Sequence, residues 1–448
     1  MKLMRQLLFV LLLLPLFLRA QSLPVWATSQ PDDSLQVSFL TCAPGHELHR
    51  LYGHTAIRFN EPKAAHGDWT YDYGWFSFKT PNFVMKFILG LTDYSMAKES
   101  TPLFVAMQLS DDVPIMEQKL NLKPAEIATL RAHLDRVMNE SKVKVREFPT
   151  QGVDGKPDTL RQYSPDWTYR YNFLYDNCTT RAVHAIEQAL KVHGATIEYP
   201  AVAGSTRTLT QREMIHEFTH HSPWYEFGQD LLLGTEVDQQ HTLQAMTRLN
   251  FLPTYAANFF SEARIKDADG SFRPLVKATS PRLPITPQPK RAALPFGPTV
   301  TFWCLFGLGV LLTFGQWQSR HKDAAHQRAW RIWTASYDFL HFEVMGLVGV
   351  LLTLMVGWSE HPAVGENWLL SIFNPFLLIV GIYLIVCLRR GRRNYLALAL
   401  PIGVAVYLAV YISGHQHFPA GTLPLALTLL MRGIAIYLQR PSAKPQHI

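Results

Sequence analysis

The chain has 448 residues, which is enough for more than one domain. Its hydrophobic content of 48% is ordinary on average, but long apolar runs fill the C-terminal part, while the middle has the composition of a soluble domain. Much of the net charge of +7 comes from two short segments between apolar runs, Arg320–Arg331 and Arg389–Arg393. We therefore assign the basic charge to membrane topology and expect no nucleic-acid partner. The four cysteines are too few for a disulfide framework.

The N-terminus has the pattern of a secretory signal peptide. Lys2 and Arg5 precede the apolar run Leu7–Leu18, and Ala20 offers a small residue for cleavage. This order predicts a signal peptide over residues 1–20, with an uncleaved membrane anchor as the alternative. A signal peptide places the domain that follows it outside the cytoplasm.

Two strand-like segments near the start of this domain could form a hairpin. The first, Tyr52–Asn60, carries His54 and Arg58. Alternation along the second segment puts its polar residues on one face and its aromatic residues on the other, the polar set being Asp68, Thr70 and Asp72. A carboxylate on this strand would orient the imidazole of His54, as the third member of a catalytic triad does. His66, in the connecting loop, is a rival for that role.

A second stretch, Tyr169–Lys191, supplies a candidate nucleophile. Apolar residues recur at helical spacing after Arg181, and Asn177 is a good N-cap residue, so Cys178 falls in the first turn of a helix. The partial positive charge of a helix N-terminus favours a thiolate. We hypothesise that Cys178 is a nucleophile and His54 its base. The alternatives are an inert buried thiol or a disulfide with Cys42.

An aromatic stretch and a metal-binding pattern leave further alternatives open. Residues Phe83–Tyr94 could belong to the core, line an acyl-binding groove, or serve as the docking surface of a non-enzymatic envelope module. His216, Glu217 and His220 match the H-E-x-x-H pattern of zinc peptidases, for which Glu236, Asp238 and His241 are the candidate third ligands. Because Pro223 follows so closely, we favour a solvated, histidine-rich helix end without a metal.

The C-terminal part predicts a membrane domain. A proline-rich linker over residues 276–298 separates it from a catalytic domain over residues 21–275. Five apolar spans follow, near residues 299–316, 337–358, 370–388, 395–413 and 422–438, and a cytoplasmic tail occupies residues 439–448. The basic loops after the first and third spans are predicted to be cytoplasmic, so the soluble domain again lies outside.

Polar residues in this membrane domain stand out because they are costly there. Asp338 lies at or inside the second span, near His341 and Glu343. Such residues either pair with one another or have a functional role. The two outer loops carry further polar residues on the same side as the soluble domain, namely Glu360, His361, Asn367, His415 and His417. We expect His361, Asn367, His415 and Asp338 to contact a lipid substrate, and the alternative is that the loop residues only cap helix ends.

Several motifs together resemble the Lnb-type lipoprotein N-acyltransferases. In the soluble part these are Cys42–Glu47, Tyr52–Arg58, Tyr71–Gly74, Pro81–Phe83 and Asp176–Arg181. In the membrane part they are Ser359–His361, Asn367–Trp368 and Asn374–Pro375. The order of a histidine followed by Asn-Cys is also similar to circularly permuted papain-like enzymes, including lecithin–retinol acyltransferase-like proteins and cell-wall thiol peptidases.

The resemblance implies an α+β fold with a circularly permuted papain-like extracytoplasmic domain, followed by an all-α five-helix transmembrane domain in the bacterial inner membrane. It implies transfer of an acyl chain from a phospholipid donor to the N-terminal amine of a diacylated lipoprotein, without a cofactor. Cys178 would be the nucleophile, His54 the base, and Asp72 would stand where the family pattern has Asn or Asp. The motifs supply the supporting residues, which are Asn177, Arg181, Arg58, Asp68 and Tyr71. A membrane-anchored thiol peptidase or amidase is the principal alternative, and a zinc metallopeptidase or a binding module is less favoured.

Overall fold

A computed structural model describes residues 35–45, 50–64, 67–139, 143–151, 156–165, 169–199, 208–242, 250–282 and 296–439. The predicted signal peptide, His66, and the tail beyond residue 439 lie outside the described residues.

An antiparallel sheet of nine strands forms the centre of the periplasmic part. Its strands in chain order are β1 (Gln36–Cys42), β2 (His54–Asn60), β3 (Asp68–Trp75), β4 (Asp93–Ser100), β5 (Ile115–Leu120), β6 (Val143–Gln151), β7 (Pro157–Pro165), β8 (Tyr169–Arg170) and, after five short strands, β14 (Val276–Pro281). The main order is β14-β5-β1-β2-β3-β4-β7-β6, and β8 pairs with β4. The short strands are β9 (Thr196–Glu198), β10 (Thr208–Leu209), β11 (His241–Thr242), β12 (Arg264–Lys266) and β13 (Phe272–Pro274).

The predicted hairpin is confirmed by the pairing of β2 with β3. Ala56 lies opposite Asp72 and Arg58 opposite Thr70. The aromatic face of β3 packs into the main core with Tyr71 and Tyr73, as alternation predicted. The segment 169–175 is strand only at Tyr169–Arg170 and then turns, because Asn172 bridges back to Asp176.

Among the residues that the structure describes, seven α-helices accompany the strands of the periplasmic part. They are α1 (Phe83–Ile88), α2 (Thr101–Ser110), α3 (Pro124–Asn139), α4 (Cys178–Val192), α5 (Gln211–Thr219), α6 (Pro223–Leu232) and α7 (Pro253–Glu262). Helices α3 and α4 bury apolar faces against the sheet, with Leu130, Leu134, Ile186 and Leu190 fully enclosed. Each Å² of apolar surface removed from water stabilises the fold by about 25 cal/mol, so this cluster is the main source of the domain's stability.

The boundary predicted between domain and linker is wrong by one strand. Residues Val276–Pro281, assigned to the linker, form edge strand β14, which pairs with β5. The prolines misled the assignment: Pro281 ends the strand, and an edge strand tolerates proline because one side of it needs no ladder hydrogen bonds. The periplasmic sheet therefore extends to Pro281.

The C-terminal part is helical, with α8 (Pro298–Ser319), α9 (Ala324–Trp358), α10 (Phe376–Arg390), α11 (Ala399–Ser413) and α12 (Thr422–Tyr437). Within the described residues, four helical segments are long and apolar enough to cross a membrane, and Thr422–Tyr437 is a shorter apolar helix. The four are Pro298–Ser319, Ala324–Trp358, Pro362–Arg390 and Tyr395–Ser413. Four of the five predicted spans thus coincide with segments of spanning length, and the fifth with the shorter helix.

Asp338 has a structural partner inside this helical part. The guanidinium of Arg432, on α12, donates to both oxygens of Asp338 at 2.6 and 2.7 Å, and to the hydroxyl of Thr313 at 2.6 Å. Arg432 is fully buried. A paired charge of this kind locks α8, α9 and α12 together, because breaking a buried pair by removing one partner costs about 3–5 kcal/mol.

Candidate active site

Cys178 is the first residue of α4, where the sequence placed it. The side chain of Asn177 accepts from the amides of Thr179 and Thr180 at 2.8 and 2.9 Å, and its own amide donates to the carbonyls of Phe173 and Phe251 at 2.7 Å each. The hydroxyl of Thr180 completes a capping box by accepting from the backbone amide of Asn177 at 2.8 Å. Every polar group of Asn177 is thus used to hold the helix start, which fixes Cys178 at the positive end of the helix dipole.

His54, the first residue of β2, lies between Cys178 and Asp72. Its Nε2 is hydrogen-bonded to Oδ1 of Asp72, while the indole of Trp75 donates to Oδ2 of the same carboxylate at 2.7 Å. The imidazole also lies beside the thiol of Cys178, since its charge lowers the pKa of that thiol. Because Nε2 is engaged by Asp72, Nδ1 is the nitrogen left for the sulfur. Two adjacent strands and one helix N-terminus therefore assemble a thiol, an imidazole and a carboxylate in series.

The charges of this group favour an ion pair between sulfur and ring. Burial raises the pKa of the Cys178 thiol, but His54, the Thr55 backbone amide and the Thr179 hydroxyl outweigh it and leave the pKa below its ordinary value. Burial lowers the pKa of His54, yet Asp72 and Cys178 raise it well above its ordinary value. A lowered thiol pKa beside a raised imidazole pKa favours the pair of thiolate and imidazolium over the neutral pair.

Gly74 keeps the space beside this pair open. Its φ of +103° lies in the region that favours glycine. A Cβ added there would sit 3.5 Å from Cβ of Cys178 and 3.5 Å from Cε1 of His54. Gly74 was predicted only as a member of the motif Tyr71–Gly74, and Trp75, the last residue of β3, was not predicted.

Two other buried groups adjoin the site. Cys42 and Cys178 are both free thiols, so the structure contains no bridge between them. Burial, and then Asp72, raise the pKa of Cys42 well above its ordinary value, which keeps it protonated. Glu99, on the strand next to Asp72, is fully buried and accepts from Gln162 at 3.2 Å. Burial and the charge of Asp72 raise the pKa of Glu99 well above its ordinary value.

The supporting residues taken from the motifs divide into two groups. Arg181 is close to the site: it pairs with Asp176 at 2.6 Å and its guanidinium stacks 3.6 Å above the ring of Tyr169. It thereby fixes the turn that precedes Cys178.

The other supporting residues stabilise the sheet. Arg58 donates to Asp68 at 2.8 and 2.7 Å and to Glu117 at 2.9 Å. The hydroxyl of Tyr71 donates to Asp135, on α3. None of these contacts involves the thiol, the imidazole or Asp72.

The H-E-x-x-H pattern belongs to an ion-pair network at the end of α5. Nε2 of His216 lies 2.9 and 3.0 Å from the two oxygens of Asp230, which also accepts from Arg212 at 2.7 Å. The ring of His220 turns back to the carbonyl of His216 at 3.2 Å. Among the described residues, no group of three or more His, Cys, Asp or Glu side chains is arranged to hold a metal ion.

The carboxylates considered as third ligands have other partners. Glu236 accepts from the hydroxyl of Tyr175 at 2.6 Å, and Asp238 accepts from Arg212 at 2.6 and 3.0 Å. His241 lies in strand β11, opposite Leu209.

Asn367 joins the two parts of the protein. Its amide donates to the carbonyl of Leu231 at 2.7 Å, and its carbonyl accepts from Leu369 and from Gln416 at 3.1 Å each. Gln416 donates onward to the carbonyl of Leu233 at 3.1 Å. The side chain of Asn367 is buried, and these bonds commit its carbonyl and one of its amide N–H groups to the joint between the two parts, while its predicted contact with a lipid stays a prediction.

Backbone contacts tighten the same interface. The amide of Gly234 donates to Ala363 at 2.7 Å, and that of Thr235 to Glu366 at 2.8 Å. A Cβ on Gly234 would come within 2.2 Å of the Glu366 carbonyl, so glycine is needed for this approach. His415, the other predicted contact in the outer loops, is exposed and lies 3.4 Å from the carboxylate of Glu366.

His361 lies at a second joint, beside α1. Its Nε2 is 3.2 Å from the carbonyl of Phe87, and its ring is 6.4 Å from the ring of Phe87 in an edge-on arrangement. Burial lowers the pKa of His361, which keeps the ring neutral near pH 7. Asp338 lies instead within the membrane helices, where it is buried and paired with Arg432, and its predicted contact with a lipid substrate stays a prediction.

Comparison with known families agrees with this division of the chain. Residues 22–143 match the model of the Lnb N-terminal periplasmic domain, and residues 290–444 match that of the Lnb transmembrane domain. Neither the curated proteins nor the solved structures searched gave a match.

Proposed function

Because the chain belongs to the Lnb family and is a multi-pass inner-membrane protein with a periplasmic domain, we propose that it is a cysteine-dependent lipoprotein N-acyltransferase. The acyl donor in this proposal is a membrane phospholipid. The acceptor is the α-amine of a diacylated lipoprotein's N-terminal cysteine. The observation that carries the proposal is the series Cys178–His54–Asp72 at a helix N-terminus, in which His54 is hydrogen-bonded to Asp72 and lowers the pKa of the Cys178 thiol.

The first half-reaction forms a thioester. The thiolate of Cys178 attacks the ester carbonyl of the phospholipid, and the carbon–oxygen bond of the resulting tetrahedral intermediate breaks. The leaving alkoxide takes the proton from His54, which is the imidazolium at the start of the step. The products are a lysophospholipid and an acylated Cys178, and His54 is left neutral with Nδ1 free to accept.

The second half-reaction transfers the acyl chain to nitrogen. The lipoprotein amine attacks the thioester carbonyl while neutral His54 accepts its proton. Collapse of the intermediate forms the amide and releases the thiolate, so the ion pair with which the cycle began is restored. Asp72 holds the ring in one tautomer throughout and stabilises the imidazolium.

The membrane domain supports a lipid substrate over a peptide one. The outer loop residues 363–367 and 416 bond directly to residues 231–235 of the periplasmic part, so the thiol is held in a fixed relation to the spans. A cell-wall peptidase requires only an anchor, whereas both substrates proposed here lie in the bilayer. Holding both reactants near the thiol favours transfer to the amine over loss of the acyl group to water.

The direct test is mass spectrometry of lipoprotein N-termini from cells that carry the intact chain or Cys178→Ala. We expect N-acylated lipoprotein only with the intact chain, and an acyl adduct on Cys178 of protein quenched in acid without acceptor. Thr180→Ser, which retains the hydroxyl of the cap, is the matched control and should leave N-acylation intact. Full N-acylation by Cys178→Ala would exclude the thiol mechanism.

A further inference from the structure

Helix α1 presents apolar side chains to its surroundings although it belongs to the periplasmic part. None of its six residues is buried. Val84 is 70% exposed, and Met85 and Phe87 are 50% exposed. The neighbouring Phe78 is 66% exposed. A contiguous exposed apolar surface usually marks a binding site, for a partner or for a membrane.

The position of α1 next to the membrane domain identifies what covers this surface. The carbonyl of Leu89 accepts from the Glu360 amide at 2.9 Å, and that of Ile88 accepts from the Ser359 hydroxyl at 3.1 Å. Residues 359 and 360 directly follow Trp358, the last residue of the membrane helix α9. Since α1 is bonded to the end of a membrane span, it lies at the level of the bilayer surface on the periplasmic side.

Charge at this position also suits a lipid surface. Lys86 lies within α1 and the exposed Lys79 precedes it. Basic residues beside exposed apolar ones are typical of helices that lie in the interface, since the apolar groups enter the acyl region while lysines remain near phosphates.

A series of ring contacts leads from this surface to the thiol. We name the side chains of Phe76, Phe78, Phe83 and Phe87 the aromatic edge. The ring centroids of Phe87 and Phe83 are 6.2 Å apart, and those of Phe83 and Phe76 are 5.6 Å apart. In both pairs the rings are stacked. Phe76 in turn lies 5.1 Å from Tyr94, which packs in the same buried cluster as Cys178. The aromatic edge therefore leads from the end of the membrane span to Tyr94, in the buried cluster that contains Cys178.

We propose that α1 lies in the periplasmic leaflet and that the aromatic edge is the entry site through which the acyl chain of a membrane lipid reaches Cys178. This inference rests on the proposed function and adds to it the binding site for the donor's acyl chain. It explains why an apolar helix of the periplasmic part is bonded to the end of a span. The acyl chain of the lipid moves from one apolar environment to another, and its ester carbonyl arrives at the thiol.

Photocrosslinking tests lipid contact without requiring turnover. Benzoylphenylalanine is introduced at position 85 or 87 of the full chain carrying Cys178→Ala, which is then reconstituted in phosphatidylethanolamine–phosphatidylglycerol vesicles. Positions 145 and 272 are matched controls, because Val145 and Phe272 are 51% and 49% exposed. We expect adducts with the mass of an intact phospholipid at 85 and 87 and at neither control. No adduct at 85 and 87, or equal yields at all four positions, would overturn the proposal.

A kinetic arm separates entry of the lipid from reactivity of the thiol. Val84→Ser with Met85→Ser should slow acyl transfer from long-chain phospholipid by about tenfold or more, since two exposed apolar side chains are lost. The rate of Cys178 alkylation by iodoacetamide should be unchanged. Unchanged transfer together with absent adducts would remove the entry site and leave the acyltransferase proposal standing. Adducts at 85 and 87 together with transfer by Cys178→Ala would retain the lipid contact and remove the thiol mechanism.

Discussion

Asp72→Asn is the sharpest perturbation of the site because two donors face that carboxylate. Trp75 donates to one oxygen at 2.7 Å and His54 is bonded to the other. An amide has one accepting oxygen and one donating nitrogen. If its oxygen accepts from Trp75, its nitrogen faces Nε2 of His54 and favours the tautomer with the proton on Nδ1. That tautomer directs an N–H at the sulfur and cannot accept a proton from thiol or amine.

The loss of charge adds to the change of tautomer. Two unit charges about 4 Å apart interact by roughly 4 kcal/mol at an effective dielectric of about 20, which is about three pKa units. Because the side chain of His54 is 27% exposed, water recovers part of this energy. We expect the pKa of His54 to fall, because the carboxylate that raises it is gone, and kcat/KM at neutral pH to fall by about 10²–10³-fold.

A pH profile distinguishes this effect from general damage to the fold. With the intact chain, alkylation of Cys178 begins below the pH expected for an ordinary thiol, because its pKa is lowered. Acyl transfer should decline only well above the ordinary pKa of histidine, because the pKa of His54 is raised and the imidazolium survives to higher pH. In Asp72→Asn this alkaline decline should move to lower pH, because the charge that raises the pKa of His54 is removed.

Glu99→Gln is the matched control for the profile. Glu99 is a buried carboxyl on the adjacent strand, and burial together with Asp72 raises its pKa well above its ordinary value, which favours the uncharged form that an amide resembles. The new carbonyl can still accept from Gln162. We expect its profile to follow that of the intact chain. The reasoning is refuted if Asp72→Asn retains activity within about threefold and its alkaline limb does not move relative to this control.

Three further predictions concern the surroundings of the site. Gly74→Ala should lower both melting temperature and acyl transfer, since an L-residue at φ +103° is strained by about 1–3 kcal/mol and its methyl group occupies space beside the thiol; normal transfer would contradict this. His216→Ala should destabilise by about 1–3 kcal/mol while His220→Ala is neutral, with transfer and zinc content unchanged in both. Burial lowers the pKa of His216 but Asp230 raises it overall, so its contribution is present below pH ~6.5 and lost as pH rises through the folded pKa; equal effects at pH 5 and 9 would contradict it. Asn367→Ala and Gln416→Ala should each lower the melting temperature, and the double variant by less than the sum, because the two side chains share one hydrogen bond.

The hairpin and the helix start could be predicted because their signals are local. Alternation along β3 determines which side chains share a face, and an asparagine before an amphipathic helix determines where the first turn begins. With the hairpin and the helix start correct, the remaining step was contact between Cys178 and the pair His54 and Asp72. Their meeting depends on long-range packing of α4 against the sheet, which no local pattern encodes; the family resemblance supplied it as an expectation.

The roles of Arg58 and Tyr71 show where motif membership misleads. Both lie in the same motifs as His54 and Asp72. Tyr71 lies on the opposite face of β3 from Asp72 and donates to Asp135 on α3. Arg58 shares the face of His54 but lies four residues further along β2, where it reaches Glu117 on β5. Partners that distant in sequence, 59 residues for Arg58 and Glu117, have no local signature.

The interface between the two parts had the weakest sequence signal and has the largest consequence for function. Asn367 and His361 were predicted as equivalent polar contacts for lipid, yet one is buried in a hydrogen-bonded joint with residues 231–233 and the other borders α1. These two joints attach the periplasmic part to the spans at separate places. A body attached at one place can rotate about it, whereas attachment at two restricts the approach of Cys178 to one side of the bilayer surface. Such restriction is what a transfer between two membrane-bound substrates requires, because the thioester must meet an amine held in the same plane before water reaches it.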